Sequence, residues 1–196
     1  MKSIKMSLAE IYFLEFAVWG AYLTSLGAYL SKVGLSGNIG GFYAVQGIVS
    51  LCMPALIGII ADRWIPAQKM LSLCHLVAGG FMAAAGLYGL SVEQPDFATL
   101  FSLYTVSVAF FMPTIGLSNS VGYTALRKAG LDTVKNFPPI RIWGTGGFII
   151  AMLFVNFTGY QNTYAQMVDS GILSVVLMIY HLTMTDCPTN RDAATK

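Results

Sequence analysis

Long apolar stretches separated by short polar connections dominate this chain. A helix needs about 20 mostly apolar residues to cross the hydrocarbon core of a bilayer. The pattern predicts six such spans, at about residues 8–31, 40–61, 68–91, 97–125, 140–160 and 164–184. We therefore predict an all-α, polytopic membrane protein, with one transmembrane unit at residues 1–184 and a cytoplasmic tail or truncated linker at 185–196.

The composition agrees with this class and excludes several others. Hydrophobic residues make up 56% of the chain and charged residues 10%, and the mean hydropathy is +0.66. The net charge of +2 is small and no basic cluster with interleaved aromatics occurs, so a nucleic-acid partner is not expected. The sequence lacks phosphate-binding and dinucleotide-binding glycine motifs and paired catalytic residues within spans. We expect no cofactor and no enzyme activity.

The basic residues indicate the orientation. Six spans place both termini on one side of the membrane, and of the 11 Lys and Arg residues only Lys32 falls on the other side. By the positive-inside rule, the side of the termini is cytoplasmic. We expect a multi-pass protein of the cell (inner) membrane with both termini in the cytoplasm.

Cysteine and histidine spacing gives no disulfide or metal signal. Cys52, Cys74 and Cys187 show no paired spacing. His75 and His181 are far apart in sequence, near the cytoplasmic ends of the third and sixth spans, and no ligand cluster accompanies them. We expect no metal site and interpret both histidines as structural.

Glu15 is an unusual residue for a membrane span. It shares one helical stripe with Tyr12, Trp19 and Tyr22. An acidic side chain at the centre of a membrane helix costs about 2.5–3.5 kcal/mol on insertion scales, so Glu15 is expected to face the bundle interior or a water-filled cavity. It is a candidate proton-carrying or substrate-contacting group. The alternative is that Glu15 lies near the cytoplasmic helix end and reaches water or a lysine.

Two amides are further candidates for solute contact. Gln46 shares a polar stripe with Tyr43 and Ser50 in the second span, and Asn119 follows Pro113 in the fourth. Either amide can donate hydrogen bonds to a ligand and accept them from it. Each is about equally suited to a hydrogen bond between helices.

The fifth span carries a more specific pattern. Arg141, Thr145 and Phe148 recur at i, i+4 and i+7, so a helix that begins after Pro138-Pro139 presents a cation, a hydroxyl and a ring on one stripe. This stripe suits a polar solute that contains a ring. The alternative is that Arg141 anchors a helix end while Thr145 and Phe148 pack the bundle.

The end of the second span resembles a known signature. Gly58, Asp62 and Arg63 match the G-x-x-x-D-[RK] pattern of the major facilitator superfamily, which lies between its second and third helices. The match is partial, because Trp64 and its neighbours replace the glycine and basic residues that usually follow. The resemblance implies a gating element, in which Gly58 allows a close helix approach and the charges pair in one state and part in another. The alternative is that these residues have no gating role, because a glycine and an Asp-Arg pair are common at the end of a helix.

Four segments together are similar to the nucleoside–proton symporter family within that superfamily, namely residues 13–27, 53–58, 112–117 and 127–145. The resemblance covers essentially the whole chain and corresponds to the N-terminal six-helix half of a twelve-helix architecture. It implies one half of a transporter for proton-coupled uptake of nucleosides by alternating access. The solute would bind between two halves.

The resemblance also implies roles and partners. Arg141, Thr145 and Phe148 would be the contacts of this half with the nucleoside. The expected partners are a nucleoside, a proton, the lipid bilayer, and a second six-helix half or a second copy of the chain. The alternatives are a transporter of another polar metabolite such as a sugar, and a membrane subunit that transports nothing.

Overall fold

The computed structural model describes residues 3–184, so the predicted tail at 185–196 lies outside the described residues. Its seven α-helices within this range are α1 Ile4–Gly20, α2 Leu26–Lys32, α3 Ile39–Arg63, α4 Ala67–Ser91, α5 Phe97–Lys128, α6 Thr133–Phe157 and α7 Ala165–Leu182. No strand occurs in the described part of the chain. The all-α prediction is confirmed. Five of these helices, α3 to α7, are long and apolar enough to cross a membrane.

The first predicted span is two helices rather than one. A turn at residues 21–25 separates α1 from α2. The hydroxyl of Tyr43 on α3 donates to the carbonyl oxygen of Leu23 at 2.8 Å, and the Ser25 hydroxyl donates to Oε1 of Gln166 on α7 at 2.9 Å. Irregular backbone at membrane depth persists where the protein satisfies its polar groups. Hydropathy did not indicate the break because the residues in the turn are largely apolar.

The prediction that the fifth span begins after the proline pair is wrong. α6 begins at Thr133, and Pro138 and Pro139 lie inside it. The Asp132 carboxylate caps the helix, accepting from the backbone N–H of Val134 at 2.9 Å. Such a cap satisfies N–H groups that have no partner within the helix, so the helix starts at the aspartate despite the prolines that follow.

The helices pack in a pattern with internal symmetry. α1 packs against α6 as α5 packs against α3; α1 also contacts α7 as α5 contacts α4; and α4 packs along α7. With α1 and α2 counted as one span, exchanging the first three spans with the last three replaces the α1–α6 contact by the α5–α3 contact and the α1–α7 contact by the α5–α4 contact. The α4–α7 contact is unchanged by the exchange. This is the packing that a pseudo-two-fold relation between two three-helix segments produces.

Glycines set the closest helix contacts. A Cβ atom on Gly147 of α6 would lie 1.9 Å from the carbonyl oxygen of Phe13 on α1. Between α4 and α7, a Cβ atom on Gly79 would lie 2.9 Å from the carbonyl oxygen of Gly171. Small residues of this kind allow membrane helices to approach until their backbones touch. The α1–α6 contact is the one that positions Arg141.

Candidate functional site

Arg141 is held by aromatic rings of the neighbouring helix. Its guanidinium carbon lies 4.0 Å from the centroid of the Phe16 ring and 5.4 Å from that of Tyr12, both on α1. Gly144, one turn along α6, leaves the room for this contact, because a Cβ atom there would lie 2.8 Å from Nη1 of Arg141 and 2.9 Å from Cδ2 of Phe16. Within residues 3–184 no carboxylate pairs with Arg141. Cation–π contacts thus fix the guanidinium and leave its N–H groups available.

Thr145 and Phe148 extend the same surface along α6. Thr145 is exposed, and the half-buried Phe148 meets the Trp19 ring of α1 edge-on, with 6.1 Å between centroids. The indole Nε1 of Trp19 is buried and has no hydrogen-bond partner among the residues described. The structure therefore brings Arg141 and Phe148 against aromatic rings of α1, which the sequence analysis did not predict.

The two amide candidates take different places. Asn119 accepts a hydrogen bond from the Tyr12 hydroxyl at 3.1 Å, which links it to the ring beneath Arg141. Gln46 is buried, and its Oε1 accepts from Tyr22 at 3.3 Å and from Tyr104 at 2.9 Å. Both amides thus form hydrogen bonds between helices, which was the alternative to solute contact in the sequence analysis. The Nε2 hydrogens of Gln46 are not used in these bonds.

The predicted gating residues lie at the end of α3. Asp62 and Arg63 are exposed. A Cβ atom on Gly58 would meet nothing within 4 Å, so no helix of the described chain approaches this glycine closely. The close approach expected at Gly58 is therefore not made inside this bundle. The gating role stays a prediction.

Glu15 anchors a buried polar cluster, formed with His75, Thr114, Ser174 and His181 and called here the Glu15 cluster. Its Oε2 lies 2.9 Å from Nε2 of His75, and the Thr114 hydroxyl donates to its Oε1. Nδ1 of His75 lies 3.0 Å from the Ser174 hydroxyl oxygen. The His181 ring stacks on the His75 ring with centroids 5.3 Å apart.

These contacts test two predictions from the sequence, one for Glu15 and one for the two histidines. Glu15 is 0% exposed, so the prediction that it faces the bundle interior is confirmed and the alternative of a carboxylate in water or beside a lysine is wrong. The expectation that no ligand cluster accompanies His75 and His181 is also wrong, because α1, α4 and α7 bring both histidine side chains to Glu15. The signal that could have found the cluster is the presence of three ionisable residues within spans, since such groups have to satisfy one another.

The cluster is a hydrogen-bonded network. One ligand-type atom from each of Glu15, His75 and His181 lies within 4.8 Å of the other two. Both oxygens of Glu15 and both nitrogens of His75 are already engaged in hydrogen bonds. The arrangement is therefore suited to holding and moving a proton between neighbouring groups.

Fold and site together define the class. A polytopic helical bundle with two three-helix segments, buried ionisable groups and a cation on an open face has the architecture of one half of a major facilitator fold. All 196 residues match the family profile described as "Nucleoside H+ symporter", and the chain belongs to this family.

Comparison with individual proteins agrees. The chain is 40% identical over 195 residues to the xanthosine permease of Escherichia coli (strain K12), covering 98% of this chain and 45% of the permease. It is 37% identical over 196 residues to the nucleoside permease NupG of the same strain, with the same coverage. A crystal structure of NupG superposes with a TM-score of 0.85 at 36% identity, covering 100% of this chain and 47% of that one. The chain thus spans about half the length of the curated relatives it matches, and these relatives are permeases rather than enzymes.

Proposed function

We propose that this chain is the N-terminal half of a proton-coupled nucleoside transporter of the cell inner membrane, with both termini in the cytoplasm. The support is its family, the nucleoside permeases that it resembles, and its length of about half of theirs. A second six-helix half, or a second copy of the chain, completes the solute site and allows alternating access.

The observation that carries the proposal is the Arg141 guanidinium fixed on the rings of Phe16 and Tyr12. A fixed arginine fork can donate to the ring carbonyls of a base or to sugar hydroxyls. Thr145 adds a polar contact, and Phe148 offers a ring against which a base can pack. The unpartnered Nε1–H of Trp19 adds a donor beside Phe148.

The remaining predicted residues have roles that depend on the second half. Asn119 acts through Tyr12, and Gln46 offers its Nε2 hydrogens to the solute. Gly58, Asp62 and Arg63 gate the cytoplasmic side by contacts with the second half. This role fits a glycine with open space beside it and two exposed charges.

Uptake by reconstituted protein tests the proposal. Labelled uridine is offered to proteoliposomes containing the chain, with and without an inward proton gradient, and equilibrium binding of uridine is measured in parallel. Arg141→Ala removes the proposed contact, and Arg127→Ala, an exposed cation at the end of α5, is the matched control. We expect binding that Arg141→Ala abolishes and Arg127→Ala preserves.

Uptake distinguishes the two assemblies. Gradient-stimulated uptake by the chain alone supports pairing of two copies, whereas binding without uptake supports a missing second half. A folded chain that binds no uridine, or that binds it equally well after Arg141→Ala, contradicts the proposal. Binding of sugars in place of nucleosides supports the alternative transporter.

A further inference from the structure

The Glu15 cluster has no part in the proposed solute surface, yet it is deeply buried and polar. Glu15, His75, Thr114 and His181 are each 0% exposed, and Ser174 is 1% exposed. Ionisable groups inside a membrane bundle are costly to bury and commonly form ion or proton pathways. The hydrogen bonds of the cluster show which protons it can hold.

The orientation of one hydroxyl decides the tautomer of His75. The Ser174 hydroxyl oxygen lies 3.0 Å from both Nδ1 and the backbone carbonyl oxygen of His75, and in one orientation it donates its single hydrogen to the carbonyl. Its oxygen must then accept from His75, so Nδ1 carries a hydrogen. The 2.9 Å contact between Nε2 and Oε2 of Glu15 needs one more hydrogen, because two facing lone pairs would repel.

This additional hydrogen is an exchangeable proton. It sits either on Nε2, as an imidazolium beside a carboxylate, or on Oε2, as a neutral imidazole beside a carboxylic acid. In both arrangements the Glu15–His75 pair is neutral overall. With the hydroxyl in this orientation, the pair is therefore in its proton-loaded form.

Release of the proton needs the rotation of one hydroxyl. If the Ser174 hydroxyl turns from the His75 carbonyl towards Nδ1, it becomes the donor and the imidazole keeps its one hydrogen on Nε2. That hydrogen is then donated to the Glu15 carboxylate. The heavy-atom contacts persist, and the pair carries one negative charge. The two forms differ by one proton, one histidine tautomer and one hydroxyl orientation.

His181 offers the place to which the proton can move. Neither of its ring nitrogens has a hydrogen-bond partner within residues 3–184, although both are buried. One of these nitrogens belongs to the group of ligand-type atoms that lie within 4.8 Å of one another with Glu15 and His75. His181 lies in the last turn of α7, so it stands between the Glu15–His75 pair and the end of that helix.

The surroundings of the cluster connect it to Arg141. Tyr12 of α1 and Cys74 of α4 interact electrostatically with the Glu15 carboxyl, and α5 contributes the uncharged Thr114. α6 contributes the cation Arg141, which contacts the Tyr12 ring. Release of the proton leaves a buried negative charge that attracts this cation across Tyr12. Proton binding removes the attraction and leaves the N–H groups of the guanidinium available to a solute.

We infer that the Glu15 cluster is a proton-binding site and that α1 couples it to Arg141, so that the proton-loaded form binds the solute. The inference rests on the proposed function for the solute and on the cluster geometry for the proton. Coupling of this kind is reciprocal, so the solute also strengthens proton binding.

Nitrogen NMR of the histidines tests the proton site without any solute. The full chain, labelled with ¹⁵N-histidine in lipid bilayers, contains 2 histidines, and His181→Gln leaves His75 to assign. We expect the His75 signals to change between a form with hydrogen on Nδ1 and a form with hydrogen on Nε2 alone as pH rises. Glu15→Gln should abolish this change, whereas Glu93→Gln, an exposed control, should preserve it.

A His75 spectrum that stays in one tautomer from pH 5 to 9, or that titrates identically after Glu15→Gln, overturns the proton site. If Glu15→Gln does not fold, Ser174→Ala replaces it, because it retains both titratable groups and removes the hydroxyl that switches. Unchanged His75 tautomer populations in that variant also overturn the inference.

Solute binding tests the coupling separately. In the wild type the affinity for uridine should rise by up to about tenfold per unit fall in pH, the limit for linkage to one proton. Glu15→Gln should bind uridine with an affinity that pH does not change. A titrating His75 without uridine binding contradicts the proposed function and leaves the proton site standing, whereas pH-independent binding in the wild type contradicts the coupling.

Discussion

The guanidinium carbon of Arg141 lies 4.0 Å from the centroid of the Phe16 ring, which is closer than its 5.4 Å approach to the Tyr12 ring. Phe16 directly follows Glu15 in α1, so neighbouring residues of one helix contact the proposed solute site and the proton site. The two sites are therefore joined by a rigid element. The α1–α6 contact has to keep its geometry for either site to work.

Removal of the Phe16 ring should weaken solute binding. Phe16→Leu keeps the apolar volume and loses the cation–π contact, which is worth about 0.5–2 kcal/mol. We expect uridine affinity to fall by about 2- to 30-fold in equilibrium binding. Phe81→Leu, on the exposed face of α4, is the control and should bind as the wild type does. Equal affinity in the two variants would contradict a positioning role for Phe16.

The glycines of α6 provide a matched test of helix packing. In Gly147→Ala the new Cβ atom would lie 1.9 Å from the carbonyl oxygen of Phe13, whereas in Gly146→Ala it would meet nothing within 4 Å. Overpacking of this kind costs about 1–3 kcal/mol. We expect a lower unfolding temperature in detergent and weaker uridine binding for Gly147→Ala alone. A similar unfolding temperature for both variants would show that α1 and α6 can separate freely.

Phe148 should distinguish base-containing solutes from sugars. Phe148→Leu removes the ring that is proposed to pack against a base and leaves Arg141 and Thr145 in place. We expect a fall of about 2- to 10-fold in affinity for uridine, on the scale of an aromatic pair, and little change for ribose. Competition against labelled uridine measures both. Equal losses for the two ligands would count against packing of the base on this ring.

The start of α5 should respond to acid. The backbone N–H of Thr99 donates to the Asp96 carboxylate at 2.9 Å and its hydroxyl donates at 3.1 Å, and these bonds hold the pKa of Asp96 below its usual range. Since the folded pKa is lowered, the stabilisation is present above about pH 4 and is lost as pH falls through the folded value.

Thermal unfolding of Asp96→Ala as a function of pH measures this effect. The variant should unfold at a lower temperature than the wild type at pH 7, and the difference should shrink below about pH 4. Asp96→Asn, which keeps a capping side chain without a charge, should show little of this dependence. A difference between Asp96→Ala and the wild type that stays constant with pH would contradict a role for the charge.

Part of this protein follows from the amino-acid sequence by itself. The order and approximate limits of the long apolar segments are local properties, because the transfer of each segment into lipid depends on its own residues. The burial of Glu15 also followed from the cost of a carboxylate in lipid. The motifs placed the chain in its family before any geometry was known.

The tertiary structure decided what these segments do to one another. Sequence indicated neither the break between α1 and α2 nor the start of α6 at Asp132, since both depend on hydrogen bonds that hydropathy does not report. It showed no ligand cluster around His75 or His181, which are far apart along the chain, and three helices brought them to Glu15. Which faces meet depends on close contacts between distant segments, such as Gly147 against Phe13, and a pattern read along one helix does not contain that information.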